Sequence, residues 1–343
     1  MFDVVNDYVN ELWEPFINPQ KRVFLGYLGS SIIIAILLIF FQFKAQINKS
    51  DASKLISRLF QRRIWFAPSA FADYKILFIS RFIMLSITPH LISTIALTTL
   101  MFEWLHIIFD GRIGISGLLP NWVVVVLFSL TLFLIDDWSK FILHKALHRI
   151  PLLWCFHKVH HTAEVLTPFT VYRTHPVEAI LFGLRSVVSK SIVLAVFVYF
   201  FASQVELFSI IGVNIFLFIF NIVGANLRHS HIWLSYGRIL GHVFISPAQH
   251  QIHHSIDEQH RDKNFGAVLA IWDWMDGSLW TTSLKREKLK FGALGASSKS
   301  HNMRYIFLIP FYEFVNIIFR NRRISISTSS KKQISDSKLK VSI

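Results

Sequence analysis

An all-α, polytopic membrane helical bundle with a cytoplasmic, histidine-rich helical cap is the fold this sequence predicts. Three observations lead to it. The 343 residues are 53% hydrophobic and 16% charged, with a mean hydropathy of +0.46, whereas a soluble domain averages about 25% charged. Several apolar runs are long enough to cross a hydrocarbon core of roughly 30 Å. Histidines recur at helical spacing beside those runs, as HKALH from His144, HKVHH from His157 and HQIHH from His250.

The first twenty residues carry Asp3, Asp7, Glu11 and Glu14 before Lys21 and lack the form of a secretory signal. Apolar runs follow at Val23 to Phe43, at Ile76 to Phe102 with Pro89 as an expected kink, and at Trp122 to Ile135. Two more run from about Val177 to Phe201 and from Val205 to Ala225, which makes about five spans. The run Ile306 to Phe319 has Glu313 in its middle and is expected at the interface rather than across it. The tail Ser325 to Ile343 is rich in Ser and Lys and is expected to be disordered. Three regions result: residues 1–120 with the first spans and a basic loop, residues 121–285 with the histidines, and residues 286–343 with the interfacial helix and tail.

Basic residues set the orientation. Lys44, Lys49, Lys54, Arg58, Arg62, Arg63 and Lys75 follow the first span, and Lys140, Lys145, Arg149, Lys158 and Arg173 follow the third. Both segments are therefore expected in the cytoplasm, while Glu103 to Asn121, with only Arg112, is expected outside. The N-terminus is then external. All three histidine clusters and the C-terminus fall on the cytoplasmic side, a result that the charge count did not presuppose. Arg185 and Lys190 interrupt the fourth span in its cytoplasmic half, where long side chains can snorkel.

The net charge of +14 fits anionic lipid headgroups better than nucleic acid, because the basic residues cluster beside spans and in the tail. A lone cysteine, Cys155, excludes a disulfide framework and Cys-rich metal sites. The stretch Gly111 to Gly117 lacks dinucleotide-binding spacing and reads as a loop. Trp272, Trp274 and Trp280 read as interface anchors.

His144 and His148, at i and i+4, share one face of a helix that continues the third span, and Pro151 ends it. His157, His160 and His161 offer three rings from a second short helix. His250, His253 and His254 repeat that pattern behind an N-terminus signalled by Ser246 and Pro247. Neutral imidazole suits zinc, copper, iron and nickel, and this many rings exceed the needs of one ion. Asp136, Asp137, Glu164, Glu178 and Asp262 are candidates to orient rings through their second nitrogens. His242 reads as structural or as a support behind a metal ligand, and His260 as a surface residue. His90, His106 and His301 read as unconnected with metal.

The order HxxxH, HxxHH, HxxHH resembles the fatty acid hydroxylase/sterol desaturase superfamily of membrane di-iron enzymes. The resemblance covers roughly Leu132 to Trp280 and includes the short gap between the first two boxes, SPAQHQIHHS, DKNFG, IWDWMDGS and RHSHI. Asp276 departs from the pattern, which leaves the packing there open. The resemblance implies a catalytic domain over 121–285 and metal ligation by His144, His148, His157, His160, His161, His250, His253 and His254. It adds His229, and holds His175, His231, Asp137 and Asp262 as possible ligands or ligand supports. It implies two iron ions, dioxygen as co-substrate, and hydroxylation of a lipid at an unactivated C–H bond. Fatty acyl, sterol, alkylglycerol ether and carotenoid substrates all remain open. Electrons must come from an external reductase, ferredoxin or cytochrome, because no flavin, haem or iron–sulfur motif is present. A desaturase with the same centre is the nearest alternative. A membrane metal-binding or transport protein is an alternative of another class, weakened by the absence of an inverted repeat. A lipid-binding relative without activity is disfavoured by the intact boxes.

Overall fold

The computed structural model describes residues 2–43, 57–88, 91–111, 115–204, 214–293 and 298–319. The tail, Pro89, most of the first basic loop and residues 205–213 lie outside them. The described residues are helical, with no strand and only two isolated β-bridges, Phe244 with Leu269 and Ser255 with Phe291.

The N-terminal twenty residues, to which the sequence assigned no element, form α1, Phe2–Ile17. Its polar residues obscure the pattern, and it packs on α3, where Arg81 meets Glu11 at 3.5 Å. The first apolar run is α2, Leu25–Phe43. The second run is two helices, not one kinked span: α3, Pro68–Ile87, and α4, Thr94–Ile108. Ser93 explains the restart, since its side chain accepts from Ala96 N and caps α4. The first half of α3 also buries Ser69 and Asp73, which bind the histidine-bearing region rather than lipid.

The third run is α5, Asn121–Arg149, continuous through the first histidine box. Its 29 residues extend about 43 Å, longer than a hydrocarbon core. Pro151 terminates it and opens α6, Pro151–His161, so that Ile150 alone forms the corner. The fourth run is α7, Pro176–Phe201, packed along α4 and α5. Phe128 and Val124 of α5 interlock there with Val193 and Phe197 of α7. Among the described residues, α5 and α7 are the two helices long and apolar enough to cross a membrane, by length and composition.

The fifth run is described only as α8, Ile215–Ile222. It stops at Gly224, whose φ of 98° admits glycine, and a 3-10 turn over Ala225–His229 follows. Helix α9, Pro247–His253, starts with the predicted Ser246 cap and Pro247, reinforced by Gln249 in a capping box. Helix α10, Ile271–Asp276, and a last helix over 303–319 complete the chain. The last helix returns to the cap, where Ile306 packs with Ala72, Ile76 and Val159, and Glu313 pairs with Lys158. About five spans are therefore not described: the second run is broken, and much of the fifth lies outside the described residues.

Candidate metal centre

The corner at Ile150 folds α6 back beside the end of α5, and the 225–229 turn packs against α9. Nine histidines converge as a result, in groups of five and four. His144, His148, His157, His161 and His253 form one group; His160, His229, His250 and His254 form the other. Within each group the ligand atoms lie within 4.8 Å of one another. Adjacent residues separate because successive side chains on a helix point about 100° apart. His160 and His161 thus part company, as do His253 and His254. The groups touch through His161 and His254, whose rings stack at 4.7 Å between centroids.

Several ring nitrogens face a common point. His148 Nε2 and His157 Nε2 are 3.1 Å apart, and His229 Nε2 lies 3.0 Å from His250 Nε2 and 3.1 Å from His254 Nε2. Two nitrogens bound at right angles to one ion, each about 2.1 Å away, would be about 3.0 Å apart. His161 Nε2 and His253 Nε2 are buried with no hydrogen-bond partner. A cavity with that many lone pairs and so few protons fits cations, and neutral imidazole is the right donor for iron or zinc.

Outer nitrogens are anchored mainly in the first group. His144 Nδ1 faces Phe265 O at 2.7 Å, His253 Nδ1 faces Lys263 O at 2.8 Å, and His157 Nδ1 meets Glu178 Oε1 at 2.8 Å. In the second group, His160 Nδ1 is 3.3 Å from Arg173 O, while His250 Nδ1 and His254 Nδ1 have no partner. The 263–265 carbonyls are set by the DKNFG and IWDWMDGS segments. Asp273 accepts from Phe265 N, Gly266 N and Ser278 Oγ at 2.6–2.8 Å. Asn264, at φ 58°, ties Gln249 O to the 280 backbone. A Cβ on Gly266 would lie 2.6 Å from Leu269 O, so glycine is required there. Asp276, the departure from the family pattern, pairs with Lys145.

The remaining candidates lie outside both groups. His175 caps α7, with Nδ1 accepting from Val177 N and Nε2 donating to Phe307 O. His231 donates to Arg58 O from the surface. Asp137 binds Val268 N, Leu269 N and Trp272 Nε1, so it holds the loop after the DKNFG segment rather than a ring. Trp272 is held by Asp137, and the Trp280 ring packs against His260. Asp262 stands 3.8 Å from His148 Nδ1 and 3.3 Å from Arg149. His260 is buried, not superficial: its Nδ1 meets Ser255 Oγ and its ring faces Trp280. His301 is tied to the buried Arg173.

Trp154 was not anticipated. It stands against His148, His157 and His161 at 5.0–6.1 Å between ring centroids. Its position on α6, three and seven residues before His157 and His161, was the available signal. It lines a cavity of about 330 Å³ that opens onto His148, His161 and His253, with Lys158 and Asp262 at its rim.

Residues 129–278 match the fatty acid hydroxylase family. Over that stretch, less than half of the chain, the sequence is similar to the fatty acid hydroxylase/sterol desaturase superfamily. Alkylglycerol monooxygenase of Caenorhabditis elegans is 27% identical over 140 residues, 41% of this chain and 24% of that protein. The human alkylglycerol monooxygenase is 24% identical over 160 residues, 47% of the chain and 32% of the relative. The Danio rerio protein is 26% identical over 149 residues, 43% and 29% respectively. The match thus spans between about a quarter and a third of each relative's length. No solved structure matches.

Burial holds histidines 157, 160, 161, 229, 250, 253 and 254 well below the ordinary imidazole value, with neighbouring rings adding to the shift in most of them. His160 is lowered to about 3. The unfolded chain takes up these protons near pH 6.5, whereas the fold resists them. Stability is therefore complete above about pH 6.5 and is lost progressively below it. Metal-free protein is expected to show a thermal midpoint that falls from pH 7 to pH 5. Bound metal should raise the midpoint at both pH values, because the folded rings stay unprotonated across this range and remain free to bind it. A midpoint independent of pH would contradict the burial of neutral rings.

Proposed function

We propose that this protein is a membrane-bound, O2-dependent lipid monooxygenase with a di-iron centre. The two-group convergence of buried Nε2 atoms carries the reading. His144, His148, His157, His161 and His253 would hold one iron, and His160, His229, His250 and His254 the other. Bound iron supplies the reduction of dioxygen and the oxidation of an unactivated C–H bond. The chain fixes the rings through Glu178 and the 263 and 265 carbonyls, and Trp154 covers the rings on the side of the open cavity.

Lipid as substrate is supported by the family and by an apolar crevice of about 120 Å³ beside the turn that carries His229. Leu28, Ile32, Leu59, Trp65, Phe169 and Leu227 are among its walls. The names of the relatives favour an ether lipid of alkylglycerol type as the first substrate to test. Placing α5 and α7 across the bilayer puts exposed Trp122 and Trp138 near opposite faces of the hydrocarbon. The histidine cap then stands on the cytoplasmic side, where Lys158, Arg261 and Arg149 offer a basic face to an acidic electron donor.

Purified protein is expected to carry about two irons per chain. With a reductant and dioxygen it should oxidise an alkylglycerol, with an oxygen atom appearing in the product. A dehydrogenated product without added oxygen would assign the centre to a desaturase. Full activity in a metal-free preparation would end the proposal.

A further inference from the structure

Four charged residues meet where α5 faces α7, away from the histidines. Asp136 accepts from Lys140 Nζ at 2.6 Å and from Arg185 at 2.9 Å, and Arg185 also donates to Ser139 Oγ at 2.7 Å. Arg185 Nε remains buried with no hydrogen-bond partner. Lys190 stands five residues further along α7, half-buried, and has no ion-pair partner among the described residues. A cavity of about 250 Å³ lies between these groups, and Phe128, Leu132, Leu194 and Leu217 form much of its remaining wall. Three cations against one carboxylate leave an excess of two positive charges. Ionisable groups on an apolar helix are costly to keep unless something answers their charge. The outer face of α7 beside them is apolar, with Val188, Ile192 and Val196 exposed.

We propose that this cavity binds the phosphate of an anionic membrane lipid. Lys190 and the free Nε of Arg185 answer the phosphate, and an acyl chain follows the leucine and phenylalanine wall. A cationic head and an apolar wall in one cavity match an amphiphile better than a free ion. Its level agrees: the apolar stretch of α5 ends at Ile135, immediately before Asp136, so Asp136 and Arg185 lie where headgroups begin, and Lys190, about 7.5 Å deeper along α7, can snorkel toward them. The site rests on the membrane placement proposed above, but not on the oxidation chemistry.

The full-length protein is equilibrated with phosphatidylcholine vesicles containing a minor fraction of phosphatidylglycerol, then repurified, and its retained lipid is identified by native mass spectrometry. Wild type should retain phosphatidylglycerol in preference to phosphatidylcholine. Lys190→Gln should weaken that preference about fivefold, and Lys190→Arg should restore it. Asp136→Asn frees two cations and should strengthen it, which keeps the test decisive if Lys190→Gln fails to fold. Equal retention of both lipids by wild type, or an unchanged preference in Lys190→Gln with normal helix content, would overturn the site. Protection of Lys190 from an amine-reactive label by inorganic phosphate, as complete as that by phosphatidylglycerol vesicles, would assign it to free phosphate and overturn the lipid. None of these readings depends on turnover or bound iron, so they separate this site from the proposed monooxygenase.

Discussion

At matched expression, His161→Ala and His254→Ala should each lose lipid oxidation by about a thousandfold or more. A metal supplies several kcal/mol of the chemistry, and each ~1.4 kcal/mol is tenfold in rate. The two substitutions act on different groups, because His161 belongs to the five-ring group and His254 to the four-ring group. Both should abolish turnover rather than weaken substrate binding, since no other side chain replaces the metal. Insertion and helix content should persist, because His161 meets α5 at His148, beyond its apolar stretch, and His254 packs on other histidines of the cap. The sequence alone makes His301→Ala the neutral control, but His301 accepts from Arg173 and serves poorly. His242 is better: among the described residues its ring meets Arg238 O and the edge of Trp274, and it belongs to neither histidine group. His242→Ala should keep near-wild-type turnover. Near-normal activity in either His161→Ala or His254→Ala would refute the di-metal proposal.

The convergence of the histidine boxes was legible in the sequence because their rings are spaced by helix geometry, a local rule. His160 and His161 separate for the same reason that they are neighbours on α6. His229 was reachable only through resemblance, since nothing local marks a ring on a 3-10 turn as inward-facing. His175 and His231 looked similar, but both ring nitrogens of His175 and Nε2 of His231 are taken by backbone groups at Val177, Phe307 and Arg58, distant in sequence except for Val177. Asp137 and Asp136 are adjacent carboxylates on one helix. Asp137 holds the 268–272 turn, and Asp136 holds Lys140 of its own helix and Arg185 of α7, a division that depends on which neighbour each meets. The broken second run shows the opposite limit. Hydropathy gave one span, while a hydroxyl cap at Ser93 and the buried polar residues of α3 decided two helices.

Arg173→Leu is expected to destabilise the protein by about 3–5 kcal/mol, the cost of leaving a buried partner charge unpaired. Arg173 is wholly buried and joins Asp73 at 2.8 Å. Its guanidinium also donates to Val159 O, Ser69 O, Ser300 O, Thr162 Oγ1 and His301 Nδ1. One side chain thus fastens α3, α6 and the 298–301 turn together, and its own carbonyl faces His160. Loss of the cation strands the Asp73 carboxylate and several carbonyls at once. Arg173→Leu with Asp73→Leu should recover only part of the loss: the charge disappears, but the Val159, Ser69 and Ser300 carbonyls remain without their donor. Thermal midpoints of wild type, both single variants and the double variant, in one detergent and at one metal loading, give the coupling. The His160 group should also lose metal in Arg173→Leu before the His144 group does, because His160 meets the Arg173 carbonyl directly, whereas His157 and His161 depend on Arg173 only through α6. A wild-type midpoint for Arg173→Leu would show that the network contributes nothing, and retention of both metals would remove its link to the centre.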